Sequence, residues 1–178
     1  MSDDLPSSKS PLKSALQTLA AELTVLHKLL LQAAKADWER THGTFASPMA
    51  FFQVITHEPT FGPWLKPMTQ LLTLLDEFLE GDERPTSLEA AVIRRDAAPL
   101  VTPGGAEDPY ARILQENPEV TVAHAAVKRA LEALPPASEE ETTSESLHEK
   151  HAWIEGRRHA RRQSKLELLR LSKRGPKQ

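Results

Sequence analysis

From Leu12 onward, apolar residues recur at Leu16, Leu19, Leu23, Leu26, Leu30 and Ala33, in steps of 4, 3, 4, 3, 4 and 3. A strand alternates every second residue and cannot make this pattern, so the spacing predicts one long amphipathic helix. Val25, Leu29 and Leu31 widen the apolar face, as suits a helix packed by several neighbours. Ser10-Pro11 supplies the start: serine can accept from a free backbone N–H, and proline at the first helical position loses nothing by lacking one. Gly43 supplies the stop after His42. A helix of that length spans about 48 Å at 1.5 Å per residue.

Ser47-Pro48 repeats the start signal and predicts a short helix over 48–57, with Phe51, Phe52 and Ile55 in reach of a core. Pro59 and Pro63 interrupt it. A third helix is expected from Pro63 or Pro67 to Glu80, with Trp64, Met68, Leu71, Leu72, Leu75, Phe78 and Leu79 on its apolar side. Thr86 with Glu89 makes a capping box, so 88–95 is expected to be a short helix, and Ala97–Asp108 a loop. Tyr110, Ile113 and Leu114 mark another short helix over 109–116. Asn117-Pro118 is a further start, followed by Val120, Ala123, Val127, Leu131 and Leu134 before Pro135-Pro136 ends the element.

The flanks lack such periodicity. Residues 1–9 are polar and read as a disordered lead-in. Residues 136–146, rich in Ser, Thr and Glu, read as an acidic linker. A capping box at Ser146 and Glu149 opens a basic stretch whose Leu147, Trp153, Ile154, Leu166, Leu168, Leu169 and Leu171 do not hold one face, as in a marginal helix or one stabilised by a partner. The expected organisation is therefore a helical domain over 10–135 and a basic helical tail over 147–178.

Composition narrows the fold class. Leucine and alanine occur 25 and 22 times, against 7 valines and 4 isoleucines, which favours helix over sheet. The expectation is all-α: an irregular helical bundle with a long N-terminal helix. Without cysteine there is no disulfide, thiolate nucleophile or Cys-type zinc site. No apolar run exceeds four residues, too short to span a membrane. The start, Met1-Ser2-Asp3-Asp4, lacks an apolar leader segment, so the expected location is cytoplasmic.

Charge is unevenly placed. Residues 147–178 carry ten Lys/Arg and three Glu, while residues 1–146 carry twelve Lys/Arg and twenty-two Asp/Glu. Arg157, Arg158, Arg161, Arg162, Lys165, Arg170, Lys173, Arg174 and Lys177 are the candidate polyanion contacts. Phosphate backbones and anionic membranes both attract such segments without reading sequence, and an acidic protein surface would do the same.

Other constellations are weaker. Glu39/His42 and Glu145/His148 have the Glu-x-x-His spacing of carboxylate-bridged di-metal bundles, but one pair sits at a helix end and the other in the acidic linker. His148, His151, Glu155 and His159 share one helical stripe that could hold a divalent ion, although Arg158 and Arg162 flank it. His27 and His124 lie beside apolar stripes and read as partly buried histidines with one hydrogen bond each. Trp38, Phe45, Phe51, Phe52, Phe61 and Trp64 read as one corner of the core, or as a groove for a partner helix or apolar ligand. No nucleophile elbow or phosphate-cradling glycine loop occurs, and neither a cofactor nor a resident metal is implied.

The strings Trp38-Glu39-Arg40-Thr41-His42-Gly43, Ser47-Pro48, Trp64-Leu65-Lys66-Pro67 and Leu74-Leu75-Asp76-Glu77 resemble a group of small, uncharacterised helical proteins of bacteria, over about residues 20–135. The resemblance implies a bacterial cytoplasmic protein and carries over no active site. The expected role is a non-enzymatic interaction or adaptor protein with a protein partner. The alternative is a nucleic-acid-associated accessory protein acting through residues 147–178, and a metal-binding helical protein is a distant third.

Overall fold

The leucine spacing becomes α1 (Pro11–His42), whose Leu16, Leu19, Leu23, Leu26 and Leu30 are completely buried. The computed structural model describes residues 10–80, 84–105 and 107–136, together with Gly156. The expectations for 1–9, 137–146 and the helical form of 147–178 otherwise lie outside the described residues. After α1 come α2 (Pro48–His57), a 3₁₀ turn (Pro63–Leu65), α3 (Lys66–Leu79), α4 (Ser87–Leu100), α5 (Pro109–Glu116) and α6 (Pro118–Glu132). Among the described residues there is no strand, and the fold is all-α.

α1 is the central mast. α6 and α3 pack along it most extensively, and α4 and α5 touch it more narrowly. Two contacts set the direction of α3: Gly62 lies beside Ala34, and Thr69 meets His27. So α3 runs antiparallel to α1. α6 starts beside Leu29, Ala33 and Ala36 and continues along α1, so it too runs back toward the start of the chain. The core between them is aliphatic, with Met68, Leu71 and Leu75 from α3 and Val120, Val127 and Leu131 from α6. Each fully buried leucine of the seam contributes about 1.5–3 kcal/mol relative to exposure. Val25 departs from expectation. It is 50% exposed, because at 100° per residue it points away from the seam, while Leu29 and Leu31 do pack against the core.

The start signals differ in mechanism. The Ser47 hydroxyl accepts from the Ala50 N–H at 3.1 Å. Ser10 and Asn117 make no such side-chain bond, and proline alone marks those starts. The Asn117 amide instead donates to the Ile113 carbonyl at 3.0 Å, closing α5 rather than opening α6. The capping box of α4 forms as expected, with Glu89 accepting from the Thr86 N–H at 2.7 Å and its hydroxyl at 2.9 Å.

α4 is longer than the short helix expected from sequence. It continues through Ala97 and Ala98 to Leu100, into the stretch expected to be loop. Ala97 and Val101 are buried in the core, and that burial outweighs the N–H missing at Pro99 in the last turn. The Arg94 guanidinium then donates to the Leu134 carbonyl, tying α4 to the end of α6.

Candidate functional site

α2 is the element that the core does not explain. Its sequence, PMAFFQVITH, is mostly apolar, yet none of its residues is buried. Ala50, Phe51, Val54 and Ile55 are half-buried on its inner side. Met49 and Phe52 stand outward at 64% and 61% exposure. At 100° per residue Met49, Phe52, Gln53 and Thr56 share the outer stripe. The Thr56 hydroxyl donates to the Phe52 carbonyl at 2.7 Å, so its polarity is spent inside the helix.

Two glycines set the position of α2. Gly43, at φ +85°, ends α1 in a conformation that side chains rarely adopt. Gly62, at φ +48°, brings the chain back close to Leu65 and Ala34. Between them an aromatic chain runs inward. Phe45 meets Phe51 edge-on at 4.9 Å, Phe51 meets Phe61 at 5.7 Å, and Phe61 meets Trp38 at 5.6 Å. The Lys35 ammonium lies over the Phe51 ring at 5.2 Å. The expected single aromatic corner is therefore split. Trp64 turns to the other side and stacks on Tyr110 at 6.5 Å, and Phe52 points to solvent.

Beside α2 is an open groove of about 540 Å³, lined in part by Trp38, His42, Phe45, Val54, His57 and Glu58. The His42 ring stacks on Trp38 at 3.8 Å with 13° between the planes. Hydrogen bonds from Thr60 hold the Glu58 carboxyl below the usual range. The groove thus offers a π-surface with a carboxylate at its edge.

The Glu39/His42 pair does not converge on a shared ion. Glu39 accepts from the Phe45 N–H at 3.2 Å and faces Lys35, while His42 is committed to Trp38. Helical spacing put the two on one face, but the turn at Gly43 gave each a different local partner. Among the described residues no three His, Asp or Glu side chains gather as a metal site. Glu145/His148, the His148/His151/Glu155/His159 stripe and the basic residues Arg157 to Lys177 lie outside the described residues.

The two other histidines sit where expected. His27 Nε2 meets the Thr69 hydroxyl at 2.9 Å, and burial lowers its pKa. His124 Nδ1 meets the Tyr110 hydroxyl at 2.6 Å, and burial, with Lys128 nearby, lowers its pKa. Burial, with Asp108 nearby, raises the pKa of the Tyr110 phenol, so it stays neutral beside His124.

One ion network escaped the sequence reading because its members lie 75 positions apart. Asp37 of α1 receives Arg40 and Arg112, and Arg112 also reaches Glu116 at 3.2 Å. Burial alone would raise the Asp37 pKa, but the two guanidiniums outweigh it and hold the carboxyl low. No protein-family model, curated protein or solved structure matches the chain.

Proposed function

We propose that this chain is a non-enzymatic interaction protein, with α2 as its docking element. The observation that carries the reading is the contrast within α2: an apolar helix, no buried residue, and Met49 and Phe52 turned to solvent. Stability does not account for side chains of this kind on an outer stripe, because exposed apolar surface gains nothing until something covers it.

The test is a photo-crosslinking residue at position 52 of the full chain in cells, with position 17, exposed on α1, as control. Adducts are expected at 52 and not at 17, and excess unlabelled chain should compete them away. Equal adducts at both positions, or none at 52, would remove the reading.

The ten Lys/Arg of residues 147–178 favour a second reading, a nucleic-acid accessory protein. Its signature is anisotropy of labelled DNA or RNA that rises with protein and falls steeply with salt. Loss of Arg157, Arg158, Arg161 and Arg162 should weaken unrelated sequences equally.

A further inference from the structure

We infer that residues 147–178 fold back onto the outer face of α4, where they cover Ala91 and Val92. This surface lies apart from α2 and stands or falls independently of it.

α4 is covered all the way round. From Leu88 to Ala98 every residue is buried or half-buried. Ala90, Ile93 and Ala97 form the stripe that joins the core. At 100° per residue, Ala91 and Val92 lie about 130° to either side of that stripe, with Leu88 between them on the far side. Positions so placed on a surface helix face water. Yet Ala91 is 2% exposed and Val92 3%, and these two are the buried apolar side chains that do not belong to the core cluster. The described helices against which α4 lies, α1, α3 and α6, build the core on its inner side. Burial of the outer side within one chain requires a further part of that chain.

The chain outside the described residues comprises 1–9, 81–83, 106, 137–155 and 157–178. Residues 81–83 are Gly-Asp-Glu, and 137–146 are almost entirely Ser, Thr and Glu, with little to bury. Residues 1–9 offer Met1 and Leu5. Residues 147–178 hold Trp153, Ile154 and five leucines, enough to cover three turns of a helix. They are also within reach. Arg94 donates to the Leu134 carbonyl, so the described bundle ends at Pro136 beside α4. The ten residues 137–146 span up to about 35 Å when extended.

Charge selects the same segment. Residues 76–96, the end of α3 and most of α4, carry seven Asp/Glu and three Lys/Arg. Residues 147–178 carry ten Lys/Arg and three Glu, whereas 1–9 carry Asp3 and Asp4 against a single Lys9. Opposite net charges favour the contact at close range. The leucines of the tail hold no single continuous face, as suits a segment ordered by contact rather than by its own periodicity. Its cations are then held by the body, and any polyanion competes with α4 for them.

The chain has no cysteine, so Val92→Cys and Ile93→Cys each place a single thiol in the full chain. Both should react slowly with a thiol reagent in the parent sequence. With Trp153→Ser, Ile154→Ser and the same change at the five leucines of the tail, Val92→Cys should react about tenfold or more faster, while Ile93→Cys stays slow and reports an intact core. A photo-crosslinking residue at position 88 should join peptides from 147–178 within one chain, so a mixture of isotope-labelled and unlabelled chains should give no mixed adducts. Unchanged slow labelling of Val92→Cys in the serine variant would overturn the inference. Adducts from position 88 to residues 1–9 or to a second copy would overturn it as well. If both thiols speed up together, the crosslink decides: adducts to 147–178 uphold the contact, and their absence overturns it.

Discussion

The Tyr110 hydroxyl and Nδ1 of His124 are hydrogen-bonded at 2.6 Å across α5 and α6. The ring in this pair is held neutral by its surroundings, so it is linked to pH. Burial has lowered the pKa of His124, and of His27 on α1, below the ordinary histidine value of 6.5. The unfolded chain therefore takes up protons first as pH falls. The stability contributed by the neutral rings is fully present above that value and is lost as pH falls through it toward the lowered folded values. Urea unfolding at a series of pH values should show stability declining from neutral toward mildly acidic pH. His124→Gln should flatten that slope. An unchanged slope in His124→Gln with His27→Gln would assign the pH dependence elsewhere.

Tyr110→Phe removes the hydroxyl and keeps the ring against Trp64. It leaves a partly buried imidazole nitrogen without its partner, which should cost about 1–3 kcal/mol in chemical denaturation.

Leu23 is fully buried in the α1 seam and Val25, two residues on, is half exposed. Leu23→Ala should destabilise by about 2–5 kcal/mol. Val25→Ala should stay within about 0.5 kcal/mol. Equal losses in thermal melts would mean that α1 is rotated from the orientation described.

Glu89 is only 1% exposed and accepts from both the N–H and the hydroxyl of Thr86. Thr86→Ala takes away a cap and one donor to a buried carboxylate. A loss of about 0.5–2 kcal/mol is expected, visible as a shift in the urea midpoint. Thr86→Ser should recover most of it.

Asp37 and Arg112 join α1 to α5 in a half-exposed setting. A double-mutant cycle with Asp37→Ala and Arg112→Ala should give a coupling of about 0.2–1 kcal/mol, shrinking with salt.

α1, α2, α5 and α6 were legible because each begins at a residue–proline pair and carries one-sided periodicity, signals that depend only on neighbours in the chain. The seam leucines followed from the same periodicity. α4 was shortened in the reading because Pro99 looks locally like a stop. What keeps the helix going is the burial of Ala97 and Val101 against other elements, and spacing along the chain does not encode that contact. The orientation of Phe52 was missed for a related reason. Phe51 and Phe52 are adjacent, and only one face of a short helix can turn inward, so the choice was made by Phe61 and Phe45. The His27–Thr69 and Asp37–Arg112 pairs depend on α1 lying beside α3 and α5. The sequence displayed the histidines but not their partners.

The packing of α6 along α1 joins the first and last described helices of the bundle. During synthesis the leucine seam of α1 emerges long before Val120, Val127 and Leu131. At ribosomal rates of roughly 5–20 residues per second, the 90 residues from Leu30 to Val120 take about 5–20 s. For that interval the stripe of leucines has the 3₁₀ turn, α3, α4 and finally α5 to cover it, but not α6, its most extensive neighbour. The seam of α1 thus stays incompletely covered until α6 has emerged. Docking of α6 is the step that closes the bundle.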